Sequence, residues 1–306
     1  KCLSAIYCLK DGSVIYGAIT KQLFEDAKQF GCTIITGSKV RKIFCKNNCI
    51  FLYTNNGEEI SAEYVINAAG GNAVDIAHSM GVANEYTDLH FRGEYWQAPA
   101  EYNDLTKLSI YTVPKYPEYP FLDPHWVVRI DGRCEVGPNA VPVFGPYAYS
   151  WSNNLRYFIP KVFESSRTGI RKILTNRQFL SLASNELKSS LSKNAMINRA
   201  REFLPQLKPS LFTQRGTSGI RSSLLDKYGR FVSDTFIIKK DSSLHLLNYN
   251  SPGATGALPM AALVVNQLIE GGIASNAHNN NSEGNNFATT KKSIWDLRTI
   301  AGQMKT

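Results

Sequence analysis

Two strand-to-helix junctions concentrate the residues that could do chemistry. The first is LHLLNYNSPGATGALPMAALVVNQLIEGG (244–272). Its apolar run of Leu244, Leu246 and Leu247 breaks at a polar, glycine-bearing loop over 248–256, and an Ala-, Leu- and Val-rich helix then runs to Gly271-Gly272. A strand, a tight loop and a helix N-terminus aim unpaired backbone N–H groups at an anionic or electron-rich ligand. Gly253 and Gly256 let a flat ligand approach the main chain. The same pattern also describes an ordinary turn of an α/β protein. The second junction is EYVINAAGG (63–71), where a buried-type strand over 64–67 meets Ala68-Ala69-Gly70-Gly71 and enters a helix over about 73–80. Small residues at a strand's carboxyl end admit a ligand, or simply let strand and helix pack closely.

Around these junctions the elements follow a readable order. Ile19, Leu23, Ala27 and Phe30 recur at helical spacing before Gly31, and Thr33-Ile34-Ile35 reads as a short buried strand. Strand runs over 40–44, 49–54 and 59–60 are joined by the hairpin turn Asn55-Asn56-Gly57. Between 85 and 149 the chain changes to short strands with aromatic and proline punctuation, HFRGEYWQ, KLSIYTVP and HWVVRIDGRCEVGPN, which predicts an antiparallel layer. From 151 to 209 it reads as helical and basic, with strands again over 213–240. The run SNAHNNNSEGNNFATTKK is polar enough to predict a flexible tail, with one short helix over 293–304.

The 306 residues suffice for two domains, and 43% apolar against 19% charged residues is an ordinary globular balance. A net charge of +9 favours anionic partners. Arg156, Lys161, Arg167, Arg171, Lys172, Arg177, Lys188, Lys193, Arg199 and Arg201 supply much of it and read as the solvated face of a helical pair; no nucleic-acid motif accompanies them. Six cysteines form no CxxC pair, and Cys45-x-x-x-Cys49 lacks matching ligands, so no metal is expected. Reduced thiols and no membrane-spanning run imply a cytoplasmic protein, with peripheral membrane contact left open. The start at Lys1, without an initiator Met, leads to the expectation of a truncated, processed or split chain.

An ordered set of segments resembles the FAD-dependent L-2-hydroxyglutarate oxidase/dehydrogenase family of the D-amino-acid-oxidase-like group. These are VINAAGGNAVDIA (65–77), FRGEYW (91–96), IYTVP (110–114), PFLDPHWVVRIDGRCEVGPNAV (120–141), SGIRSSLLDKYGRFVSDTFII (218–238) and LHLLNYNSPGATGAL (244–258), and the match runs over about 5–272. The resemblance implies α/β plus antiparallel sheet: a Rossmann-like FAD-binding domain, its first βαβ unit absent, with an inserted antiparallel β substrate domain. On that basis 1–84 and 213–273 belong to the FAD-binding part, 85–212 to the substrate domain and 274–306 to the tail. Thr112 and Asp123 stand where the family usually has Pro and Gly, which puts the preferred substrate in doubt. No G-x-G-x-x-G phosphate loop occurs anywhere in the 306 residues.

The resemblance further implies FAD as cofactor and a small anionic 2-hydroxy acid as substrate, giving 2-oxoglutarate by hydride transfer to the flavin. Arg221 becomes the carboxylate clamp, and His125 holds substrate or accepts the hydroxyl proton. Arg92, Tyr95 and Tyr111 wall the pocket, while Asn139 orients a loop. His78 reads as a surface residue. Val40, Ala69, Gly70, Asn248, Ser251, Gly253, Ala254 and Thr255 surround the cofactor, largely through the backbone. Alternatives are an incomplete subunit needing an N-terminal partner segment, or a related amino-acid or glycerol-3-phosphate flavoenzyme. The residues distinguish neither oxygen nor a quinone as the electron acceptor.

Overall fold

The computed structural model describes residues 4–8, 11–47, 49–120, 123–163, 168–250 and 253–273. The tail over 274–306, with its expected helix, lies outside them. The chain separates into two compact units, Lys1–Asn250 and Ser251–Thr306.

The first unit opens with helix α1 (Tyr16–Gln29), whose predicted apolar face is bare: none of its residues is buried. Thr33-Ile34-Ile35 is not a strand. A strand exists only where a neighbour completes its ladder, and no pairing includes these residues, so Ile34 and Ile35 stay exposed. β1 (Val40–Lys46), β2 (Cys49–Thr54) and β3 (Glu59–Ala62) form an antiparallel meander, with the β2–β3 turn at Gly57 in the left-handed region at φ 80°. β4 (Val65–Asn67) leads through a 3-10 turn (Gly70–Asn72) into α2 (Ala73–Ser79). His78 on α2 is half-buried rather than a surface residue, its Nε2 lying 3.1 Å from the carbonyls of both Ala83 and Tyr86.

A five-stranded sheet follows, of β5 (Thr87–Gln97), β6 (His125–Val128), β7 (Cys134–Gly137), β8 (Val141–Val143) and β9 (Gln214–Leu225). The run KLSIYTVP adds only an isolated bridge between Ile110 and Trp126. β5 is central, paired antiparallel with β7, β8 and β9. Its first six residues are all buried and alternate in character. Leu89 and Phe91 enter an apolar cluster with Ile170, Ile173, Phe179 and Leu225, while Asp88, His90 and Arg92 take the other face. A second cluster sets Trp126, Cys134 and Val136 against Met196, Ile197 and Ala200.

Among its described residues the basic segment 151–209 forms four helices, α3 (Trp151–Val162), α4 (Thr168–Thr175), α5 (Arg177–Leu191) and α6 (Lys193–Ala200), not a pair. Ser150, Asn176 and Ser192 cap α3, α5 and α6 through their side-chain oxygens. Nor is its charge all solvated, because Lys161 and Arg199 point into carboxylates. β10 (Phe236–Lys240) and β11 (Ser243–Leu247) complete the unit, β11 lying antiparallel to β10 and parallel to β4. In the second unit the described residues form α7 (Ala257–Glu270), capped by Gly256 and stopped at Gly271.

Candidate active site

β9 runs beside β5 with Arg221 opposite Phe91, so the two side chains share a sheet face. Arg221 is half-buried, and its Nη2 is buried with no hydrogen-bond partner. Burial lowers its pKa from the ordinary value, with the Tyr95 hydroxyl pulling the other way. A guanidinium remains charged regardless. An unpaired buried donor on a cation is costly, and a carboxylate is the group that best satisfies it.

His125 begins β6 and is buried, with Nδ1 also lacking a partner. Burial depresses its pKa to about 4, with Asp123 raising it and Arg221 lowering it. The imidazole is therefore neutral near pH 7 and free to accept a proton. Tyr111, an exposed residue, sets its ring centroid 4.5 Å from that of the imidazole, the two planes tilted by 55°. Tyr95 is pushed up to about 12, chiefly by burial, and feels both Arg221 and Tyr111. Its phenol stays protonated, and Arg129 covers its ring at 5.4 Å. Arg221, His125, Tyr95 and Tyr111 thus form one constellation of a cation, a neutral base and two phenols.

Two other sequence candidates hold partners within the chain, although Arg92 Nε is also buried without a hydrogen-bond partner. Arg92 pairs with Glu94 at 3.0 Å and donates to the carbonyls of Ala148 and Tyr149 at 3.3 and 2.9 Å. Asn139 accepts the Glu94 N–H at 2.8 Å and donates to its carboxylate at 3.1 Å. Glu94, absent from the sequence candidates, is thus the hub of this wall. Beneath it lies a second unforeseen network. Lys161 contacts Asp88, which also accepts from Ser222 at 3.1 Å, and His90 Nε2 reaches the Gly71 carbonyl at 3.1 Å. Burial would raise Asp88, but the Lys161 and His90 charges and the hydrogen bonds hold it below its usual range. Alternation of polar and apolar residues in TDLHFR was the only advance signal; nothing in the sequence tied Lys161 to it.

At the other junction β4 and β11 lie parallel, with Asn67 opposite His245. The Asn67 amide donates to the Ala73 carbonyl at 2.8 Å and to His245 Nδ1 at 3.0 Å, which leaves Nε2–H for Ser243 Oγ at 3.1 Å. Beyond Asn67, Ala68, Ala69 and Gly70 are exposed, and Gly70 has φ 56° with open space where a Cβ would stand. A Cβ on Gly71 would meet Pro146 at 2.7 Å. Beyond β11, Asn248 adopts φ 57°. Its side chain accepts from the Leu224 N–H and Asn250 at 3.0 and 2.7 Å and donates to Val232 and Asp234, each at 2.8 Å. Its carbonyl in turn accepts from Thr235 Oγ1 at 3.3 Å. Val40 begins β1 opposite Thr54. Ser251 lies outside the described residues; Gly253, Ala254 and Thr255 form the turn before α7.

The sequence pattern of the family described as FAD dependent oxidoreductase matches residues 1–267. The chain belongs to that family. It is accordingly read as an enzyme with FAD as cofactor. L-2-hydroxyglutarate dehydrogenase of Escherichia coli K12 is 29% identical over 271 residues, covering 87% of this chain and 62% of the relative. The human mitochondrial enzyme of that name is 27% identical over 290 residues, covering 87% and 60%. The chain therefore spans about three-fifths of the length of these relatives. Two solved flavoenzymes share the fold. L-alpha-glycerophosphate oxidase of Mycoplasma pneumoniae, with FAD bound, has a TM-score of 0.52 at 19% identity over 78% of this chain and 52% of its own. Glycine oxidase of Geobacillus kaustophilus has 0.51 at 14% identity over 82% and 53%.

The first unit's residues fit part of a flavin cofactor's surroundings. Two parallel strands end side by side in backbone-rich loops, and the lip formed by Ala68, Ala69 and Gly70 is small and open. No helix among the described residues is long and apolar enough to cross a membrane, and no group of three metal-ligating side chains occurs among them.

Proposed function

We propose that this chain carries the substrate-side machinery of an enzyme that oxidises L-2-hydroxyglutarate, or a close 2-hydroxy acid, to 2-oxoglutarate. The observation that carries the reading is Arg221, a poorly hydrated guanidinium with a buried, unpartnered Nη2 whose charge acts on His125. The names of the bacterial and human relatives support the substrate class. Arg221 binds a substrate carboxylate and thereby fixes Cα and its hydroxyl. His125, neutral at working pH, takes the hydroxyl proton through its open ring nitrogen as the Cα hydride leaves. Tyr95 stays protonated and donates a hydrogen bond, while Tyr111 holds the imidazole plane. Bound FAD supplies the two-electron acceptor for that hydride.

Arg92 and Asn139 act through Glu94 as supports of the wall, without touching substrate. Val40, Ala69, Gly70 and Asn248 offer main-chain contacts to the cofactor, and the sequence pattern extends that role to Ser251, Gly253, Ala254 and Thr255. Oxygen or a quinone reoxidises the flavin. Unpaired Cys8, Cys32, Cys45, Cys49 and Cys134 agree with a cytoplasmic chain, and the +9 net charge with transient contact at an anionic membrane surface. In the flavin-loaded enzyme, Arg221→Leu raises KM for L-2-hydroxyglutarate about 100-fold, the loss of one charged hydrogen-bonded contact, and leaves the flavin spectrum intact. An unchanged KM removes Arg221 from the site. Preference for an amine or for glycerol 3-phosphate replaces the substrate class.

A second reading is favoured by α1, none of whose residues is fully buried, and by the exposed Ile34 and Ile35. In that reading these residues pack against a further segment, of the same or another polypeptide, that grips the cofactor phosphates. Residues 1–306 purified alone then show little flavin absorbance, and supplying such a segment restores it. Stoichiometric flavin on the isolated chain overturns this.

A further inference from the structure

One charged bridge lies outside the residues assigned so far. Arg199 on α6 donates from Nη2 to Asp123 Oδ1 at 3.0 Å and from Nη1 to Glu186 Oε1 at 2.9 Å. The other Asp123 oxygen accepts the Lys115 N–H at 3.3 Å. The other Glu186 oxygen accepts the Ala140 N–H at 2.7 Å. One planar fork therefore fixes the residue two before His125 and, through α5, the residue next to Asn139.

The arrangement is expensive unless complete. Glu186 is 6% exposed and Asp123 18%. Burial pushes the Glu186 carboxyl up despite Arg199 and the Ala140 N–H, and the Asp123 charge adds to that rise. Removing the cation would leave two poorly hydrated carboxylates without their shared partner. Lysine, with a single compact ammonium, cannot reproduce the fork.

We propose that Arg199 is a positioning residue: its guanidinium fixes the Asp123 carboxylate beside His125 and ties that approach to the Asn139 turn through Glu186. The proposal rests on His125 being the proton acceptor of the site. Two charges bear on the imidazole, Asp123 from its own approach and Arg221 from β9, and the Tyr111 ring covers it. Asp123 favours the protonated ring and Arg221 opposes it. Where Asp123 is held thus sets how readily His125 takes a proton.

The test is a double-mutant cycle read by NMR on the complete chain with labelled histidine, the His125 signal being assigned from His125→Gln. It needs neither flavin nor substrate, so its outcome is separable from that of the oxidation assay. Asp123→Asn lowers the His125 titration midpoint by about half a pH unit in the otherwise native chain. In the Arg199→Met background the same change moves it by less than about 0.2 of a unit, because Asp123 is no longer held there. An equal effect of Asp123→Asn in both backgrounds overturns the proposal. If Arg199→Met alone brings the midpoint to the ordinary value near 6.5, the site has opened, and the cycle is repeated with Arg199→Lys. A reduced coupling with lysine then supports the fork, and an undiminished one overturns it.

Discussion

β5 and α1 are elements of similar length with opposite fates. The first six residues of β5 are buried on both faces, apolar side chains against the helices and Asp88, His90 and Arg92 against a polar network. α1 is amphipathic too, yet none of its residues is buried. Pattern alone therefore does not make a core. Strand β5 has three partners within the first unit, whereas the apolar stripe of α1 has none among the described residues that buries it. The β5 sheet is packed within the first unit, whereas no residue of α1 is buried among the described residues.

The largest expected effect breaks the packed sheet. Lys161 is 7% exposed and Asp88 2%, so Lys161→Met strands a buried carboxylate and costs about 3–5 kcal/mol, read as a lower urea midpoint. A loss below about 1 kcal/mol would show that the polar face of β5 does not depend on this pair. Next comes acid. The folded-state pKa of His125, about 4, lies below its ordinary 6.5. The unfolded chain thus binds the extra proton first, and stability falls as pH drops from about 6.5, by a total of about 3 kcal/mol below pH 4. Urea titrations between pH 7 and 4 check this, and the His125→Gln chain should lose that part of the slope. The smallest effect sharpens the comparison from the other side. Leu23→Ser on α1 changes stability by no more than about 0.5 kcal/mol, whereas a buried leucine of similar pattern costs several. A large loss would mean that α1 is packed after all.

Much of the site was legible in particular residues. The small run Ala68-Ala69-Gly70-Gly71 and the break at Asn248 marked the ends of β4 and β11, because strands stop where side chains become small or polar. Arg221 and His125 emerged from the ordered family segments, and the fold brings them into one electrostatic group with Tyr95 and Tyr111. Arg92 and Asn139 looked equally suited to binding. Which partners a polar side chain meets depends on the fold, and both contact Glu94.

The sequence by itself determined the local terms: caps at Ser150, Asn176 and Ser192, turns at Gly57 and Gly229, and the two-faced alternation of β5. These depend on one residue and its chain neighbours. Tertiary structure alone decided that Lys161 meets Asp88 across 73 residues, that Arg199 joins Asp123 to Glu186, and that the Thr33-Ile34-Ile35 run is not a strand. Charge pairing and ladder formation need a partner from elsewhere in the chain. Beyond β11, the Asn248 side chain ties β9 to the carbonyls of Val232 and Asp234 and to Asn250, partners that only the fold brings together.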